Sequence, residues 1–154
     1  MNASDAHNVG FTVKHRVNRP VNEVFQAVVD PAKLSTYFTT SADAPLSPGR
    51  TVHWHWEGYG TVDVHVHEVV ENEKIVFSWE AYKVDYDVTC TFTFESINDG
   101  ATRVTVHETG WKRDEAGLAS SFAQCNGWTH MLMCLKARLE HDIDLRDAFD
   151  VQKT

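Results

Sequence analysis

The sequence has little with which to hold nucleic acid. Its 154 residues carry 14 Lys and Arg against 22 Asp and Glu, a formal net charge of −8 with histidine counted neutral. A phosphate-backbone partner would call for a basic face instead. No stretch approaches the roughly 20 apolar residues that a membrane-spanning helix needs, so membrane insertion is not expected. Residues Met1 to Asn8 have neither a basic start nor an apolar run. They do not read as a secretory signal, and a flexible leader over residues 1–9 is expected, with a tail over 147–154. Cysteine is scarce: Cys90, Cys125 and Cys134, an odd number with no C-x-x-C pair. Without an export signal, reduced thiols in a cytoplasmic protein are the expectation. Catalytic and cofactor signatures are missing too: there is no nucleophile elbow, phosphate-cradling glycine loop or H-E-x-x-H pair. No cofactor is expected, and catalysis has no motif behind it.

What is present is a globular composition, 42% hydrophobic and 23% charged, and a length suited to one domain, placed at residues 10–146. Phe11, Val13, His15 and Val17 alternate with polar residues, the mark of a half-buried strand. Val21, Val24, Phe25, Val28 and Val29 then recur at helical spacing. Asp30-Pro31 stops that helix and starts a second short one, with Asp30 as N-cap and Leu34, Tyr37 and Phe38 inward. Alternation returns from Val52 almost to residue 110, broken at Gly58-Tyr59-Gly60, Glu71-Asn72-Glu73 and Asn98-Asp99-Gly100. Short turns without crossover helices imply an antiparallel meander. The tail reads as one helix from about 118 to 143, its stripe running through Leu118, Phe122, Cys125, Thr129, Leu132, Leu135, Leu139 and Ile143. Gly127 inside it costs about 1 kcal/mol relative to Ala, which close packing against a neighbour would explain. Cys90 and Cys125 fall on apolar phases and read as packed core thiols. The fold class is therefore α+β: a curved antiparallel sheet wrapped around a long C-terminal helix, with two short helices after the first strand.

The segments Pro20–Phe25 (PVNEVF), Asp30–Phe38 (DPAKLSTYF), Ile75–Trp79 (IVFSW), Thr105–Gly110 (TVHETG) and Gly127–Glu140 (GWTHMLMCLKARLE) carry a family likeness. In this order they resemble the START-like (SRPBCC) helix-grip superfamily, and within it the family similar to the activator of heat-shock-protein-90 ATPase homologue. The resemblance implies a cavity between sheet and helix, a lipid, sterol or polyketide ligand in some members, cyclisation or hydration in others, and chaperone-ATPase stimulation in a stress response. It transfers no catalytic residue.

The inward aromatic set is Trp54, Trp56, Phe77, Trp79, Phe92 and Phe94 from the sheet, with Phe122 and Trp128 from the helix. Such a set either fills a core or walls a ligand cavity. His15, Tyr86 and Glu108 share the inward phase. A buried carboxylate without a partner costs several kcal/mol, so Glu108 must pair, protonate, face a wet cavity or lie beyond the sheet edge. The three are candidates for orienting a ligand, or for structural hydrogen bonds. Four histidines lie on the outward phase around one turn. Pairing about Gly58-Tyr59-Gly60 would set His53 beside His67 and His55 beside His65, a patch that can hold a metal ion only weakly, because nothing behind it orients the rings.

Three functions follow as expectations. The first is non-enzymatic binding of a small hydrophobic or aromatic molecule. The second is a polyketide cyclase or hydratase using pocket acid/base groups. The third is an interaction module acting on a chaperone ATPase. Self-association as a homodimer stays open.

Overall fold

The computed structural model describes residues 7–146. Residues 1–6 of the expected leader and the whole expected tail lie outside the described residues. The first strand, β1 (Val9–Val17), starts inside the segment assigned to the leader. Helix α1 (Val21–Val29) buries Val24, Phe25, Ala27 and Val28. Asp30 then caps α2 (Pro31–Leu34), its carboxylate accepting from the Ala32 amide, with Pro31 in the first turn where no amide hydrogen is needed. Six further strands follow: β2 (Ser41–Ala42), β3 (Thr51–Trp56), β4 (Gly60–Val70), β5 (Lys74–Glu80), β6 (Asp87–Asn98) and β7 (Ala101–Trp111). Every pairing is antiparallel, in the order β1-β7-β6-β5-β4-β3-β2. One curved open sheet therefore holds all the strands, and its inner face meets helix α3 (Glu115–His141) in a helix-grip arrangement. No helix among the described residues is long and apolar enough to cross a membrane.

Alternation decides which side chains go inward. Val52 and Trp54, Val64 and Val66, Ile75 and Phe77, Val88, Cys90, Phe92 and Phe94, and Val104 and Val106 are all buried, as a period of two requires for a sheet covered on one face. Tyr37, from the segment after α2, is buried among them and donates its hydroxyl to the Ala27 carbonyl at 2.9 Å, locking the two short helices together. Cys90, Cys125 and Cys134 are free thiols; Cys90 and Cys134 are buried, whereas Cys125 is only half-buried.

Two details of the sequence reading need correction. The four histidines do not gather. Trp56 pairs with Gly60, so β3 and β4 turn about Gly58 rather than Gly60, with both glycines at positive φ (85° and 109°). The register slides by four, and His53 faces Asp63 while His55 faces Thr61 and His65 faces Thr51. His53 bonds Asp43 at 2.7 Å and His67 bonds Ser78 at 2.8 Å. No cluster of three or more metal-ligating side chains forms among the described residues. The second correction concerns Phe122, which is 70% exposed. Helix α3 starts at Glu115, earlier than expected, because Asp114 caps it by accepting from the Gly117 amide at 2.7 Å. The Trp111 indole reaches Ser120 at 3.0 Å, and Ser120 and Ser121 turn inward. Phe122, about 100° further round the helix, points out. The helix also stops sooner, at a left-handed Asp142, leaving Ile143 beyond it and half exposed.

The start of α3 is correspondingly tight. A β-carbon on Gly117 would lie 2.0 Å from the Lys112 carbonyl oxygen. The clash is with backbone, which cannot swing away as a side chain can. Gly117→Ala is expected to lower the unfolding free energy by roughly 3 kcal/mol, read from urea unfolding. A loss under about 1 kcal/mol would show that this end of the helix can shift.

Candidate functional site

A pocket of about 720 Å³ opens between the middle of α3 and the β3–β4 hairpin. Its walls come from four places in the chain. Phe38 arrives from the segment after α2, Trp56 and Tyr59 from the β3–β4 hairpin, Trp79 and Tyr82 from the end of β5 and the loop beyond it. The middle of α3 contributes Ala123, Gln124, Asn126, Gly127, Trp128, Thr129, His130 and Met133. Six of these residues are aromatic, and none is Lys, Arg, Asp or Glu. Burial holds the His130 imidazole below its usual pKa, which favours the neutral ring. Phe38 lies 5.2 Å from Trp56 and 5.7 Å from Trp128, centroid to centroid, and Trp79 stacks on Trp128 at 5.4 Å. The Trp56 indole donates to the Phe38 carbonyl at 3.0 Å, which fixes the Phe38 segment against the hairpin.

Behind this wall sits Glu108, with no exposed surface. It falls on the inward phase of β7, opposite Cys90 on one side and Phe11 on the other. Three neutral donors converge on its carboxylate. Trp79 Nε1 reaches Oε2 at 2.8 Å, while Trp128 Nε1 and Gln124 Nε2 reach Oε1 at 3.0 and 2.6 Å. Gln124 is spent at its other end too, its carbonyl accepting from the Tyr82 amide at 2.7 Å. Burial raises the Glu108 pKa to about 7, against the opposing pull of the Trp79, Trp128 and Gln124 hydrogen bonds. Burial likewise raises the neighbouring Cys90 thiol, with the Glu108 charge adding to it, so that thiol stays protonated.

The inward set divides by depth. Trp56, Trp79 and Trp128 line the pocket. Trp54, Phe77, Phe92 and Phe94 are buried in ring-to-ring contact and fill the interior beneath it. The Trp54 Nε1 is buried without a hydrogen-bond partner. Tyr86 belongs to a smaller cluster with Trp111 and receives the Lys112 amide on its hydroxyl. Phe122 borders a separate surface cleft of about 430 Å³ beside Phe11 and Leu118. His15 pairs with Val104, four residues along β1 from the level of Glu108, a separation of roughly 13 Å. It is not brought to the carboxylate.

Sequence reasoning passed over several pocket residues. Gln124 is polar within a helix and carries no phase signal. Tyr59 and Tyr82 sit in turns. Phe38 carries the spacing of a core residue of its short helix. At Gly127 the expected close packing is absent: a β-carbon there would meet nothing within 4 Å. The glycine faces the open space of the pocket instead of a neighbouring element.

Residues 18–140 match the family model described as Activator of Hsp90 ATPase homolog 1-like protein. Among solved structures, the protein SSP2350 from Staphylococcus saprophyticus is 30% identical, over 90% of this chain and 96% of that one, with a TM-score of 0.77. PFC0360w, an HSP90 activator from Plasmodium falciparum, is 20% identical over 84% of this chain and 95% of its own, with a TM-score of 0.70. DynU16, a protein of the dynemicin biosynthetic locus, is 23% identical with a TM-score of 0.76; the match covers 86% of this chain but 48% of that one. The last two likenesses show a shared fold alone. No curated protein matches the chain.

The state of Glu108 gives a sign for the pH dependence of stability. Its folded pKa of about 7 lies above the unfolded value near 4.5, so the folded chain binds the proton more tightly. The cost of burying the charge is absent below pH 4.5, grows from 4.5 to 7 and is constant above. Across that window wild type should lose roughly 3 kcal/mol relative to Glu108→Gln, read as the difference between their urea unfolding free energies at pH 4.5 and pH 8. A difference that does not change with pH would mean that the carboxylate is not buried as described.

Proposed function

Because the chain belongs to the Activator of Hsp90 ATPase homolog 1-like family, we propose that it binds a small hydrophobic or aromatic molecule, without catalysis, at the mouth between sheet and helix. The observation that carries this reading is the aromatic-walled pocket of about 720 Å³, within the size range of small-molecule sites. Trp79, Trp128 and Gln124 are already hydrogen-bonded to Glu108 and do not have to reorganise to receive a ligand, which lowers the cost of binding. An exposed glycine in the middle of a helix costs stability. At Gly127 that cost leaves room for a ligand. Direct ligand contact is assigned to Phe38, Trp56, Trp79 and Trp128.

Acid/base catalysis is set behind this reading, because Glu108 has no exposed surface and both its oxygens are occupied. A second reading has one observation of its own. Tyr59, Tyr82 and Met133 line the pocket and are exposed at 51%, 55% and 37%, so a protein segment, such as one from a chaperone, can also dock over the mouth.

A panel of fatty acids, flavonoids, small polyketides and aromatic ammonium compounds separates the two. A member that enters the pocket quenches tryptophan fluorescence and raises the melting temperature, because it binds the folded state alone. Gly127→Ala should add about 1 kcal/mol of stability, having no clash to offset the gain in helix propensity. Gly127→Leu should stay folded and bind at least about ten-fold more weakly, by filling the space the ligand needs. If no member of the panel shifts the melting curve, the small-molecule reading fails and the docking reading takes its place.

A further inference from the structure

The walls of the pocket carry an electrostatic preference that the packing alone does not reveal. The lining residues include no formal charge of either sign. What they offer instead is several aromatic rings, and an organic cation within about 6 Å of a ring face is attracted by the ring quadrupole. Two of those rings, the indoles of Trp79 and Trp128, donate their N–H groups to one buried carboxylate at 2.8 and 3.0 Å. A hydrogen bond to an anion pushes electron density back into the donor ring. When ionised, the carboxylate also sets a full negative charge one indole away from the pocket, in a low-dielectric interior where screening is weak.

The groups around Glu108 do not cancel this charge. Trp79, Trp128 and Gln124 are neutral donors, and the Cys90 thiol is held protonated by burial. At the rim, Lys83 already places its ammonium over the Tyr82 ring, 5.1 Å from the centroid. That outer ring is therefore already engaged by a cation from the chain itself. The chain's formal charge of −8 adds a long-range attraction of the same sign. An anionic ligand such as a fatty-acid carboxylate would find no Lys or Arg on the lining to receive it.

Building on the binding function proposed above, we infer that the pocket selects an organic cation: a hydrophobic body bearing an ammonium or quaternary ammonium group, held among the rings of Phe38, Trp56, Trp79 and Trp128 and drawn by the Glu108 carboxylate. Aromatic side chains supply the contact area and the buried carboxylate supplies the sign.

Three probes of similar size test this in the full chain at pH 8, where the carboxylate is ionised. They are benzyltrimethylammonium, its uncharged carbon isostere neopentylbenzene, and the anion phenylacetate. Calorimetry should show the cation binding at least about ten-fold tighter than the isostere and the anion weakest. In Glu108→Gln the cation's advantage should shrink several-fold while the isostere's affinity changes little. Trp56→Leu, which leaves the carboxylate untouched, should weaken the cation more than the isostere, and this arm decides the matter if Glu108→Gln does not fold. Equal or weaker binding of the cation overturns the inference and leaves the binding function standing, provided that neopentylbenzene binds and Gly127→Leu abolishes it. A cation preference that persists undiminished in Glu108→Gln overturns the role given to the carboxylate and with it the inference. If no probe binds, the inference fails, and the binding function is decided by the wider ligand panel.

Discussion

The carboxylate of Glu108 is the point to which both layers of the protein are tied. A residue on the inward phase of a strand paired on both sides is cut off from water, and an ionised carboxylate there is costly unless donors surround it. Sheet and helix each send donors: Trp79 from β5, and Gln124 and Trp128 from α3. The three bonds fix the distance and rotation of the helix relative to the sheet at one level. Apolar contact alone, which is non-directional, would leave that setting looser. Truncating the carboxylate would strand three donors at once.

From this point the pocket follows. With Trp128 anchored inward, the next residues round the helix, Gly127 and Asn126, come to the surface beside it, and the missing side chain of Gly127 opens the space. Gln124 passes the constraint outward. One end of its amide holds Glu108 and the other holds the Tyr82 backbone N–H, while Ser120 donates its hydroxyl to the Tyr82 carbonyl. The β5–β6 loop is thus clamped to the helix through both backbone polar groups of one residue. Its aromatic side chain becomes part of a fixed rim.

Much of the fold was legible because a sheet covered on one face writes its burial into the sequence with a period of two. The strands from Val52 to Val106 needed nothing more. The inward phase of Glu108 was legible in the same way, and so was its need for a partner. Its partners were not, since they come from β5 and from two positions on α3, and no local pattern encodes which level of a helix meets which level of a strand. The histidine register failed because both Gly58 and Gly60 can take positive φ, and alternation is blind to a shift by an even number of residues. Phe122 failed because serines, which carry no hydrophobic signal, face inward at the first turns of α3.

Cavity and filled core were posed by the sequence as alternatives, yet the aromatic set does both. Trp54, Phe77 and Phe92 lie deep enough to meet other rings on several sides and fill their level of the interior. One level nearer the helix's midpoint, the same kind of side chain runs out of partners at Gly127 and becomes a wall. The alternation that places these residues inward is identical at both levels, so phase cannot tell them apart. The difference is made by a single position on the facing helix. For the same reason a fold likeness at 20% identity says little about the occupant.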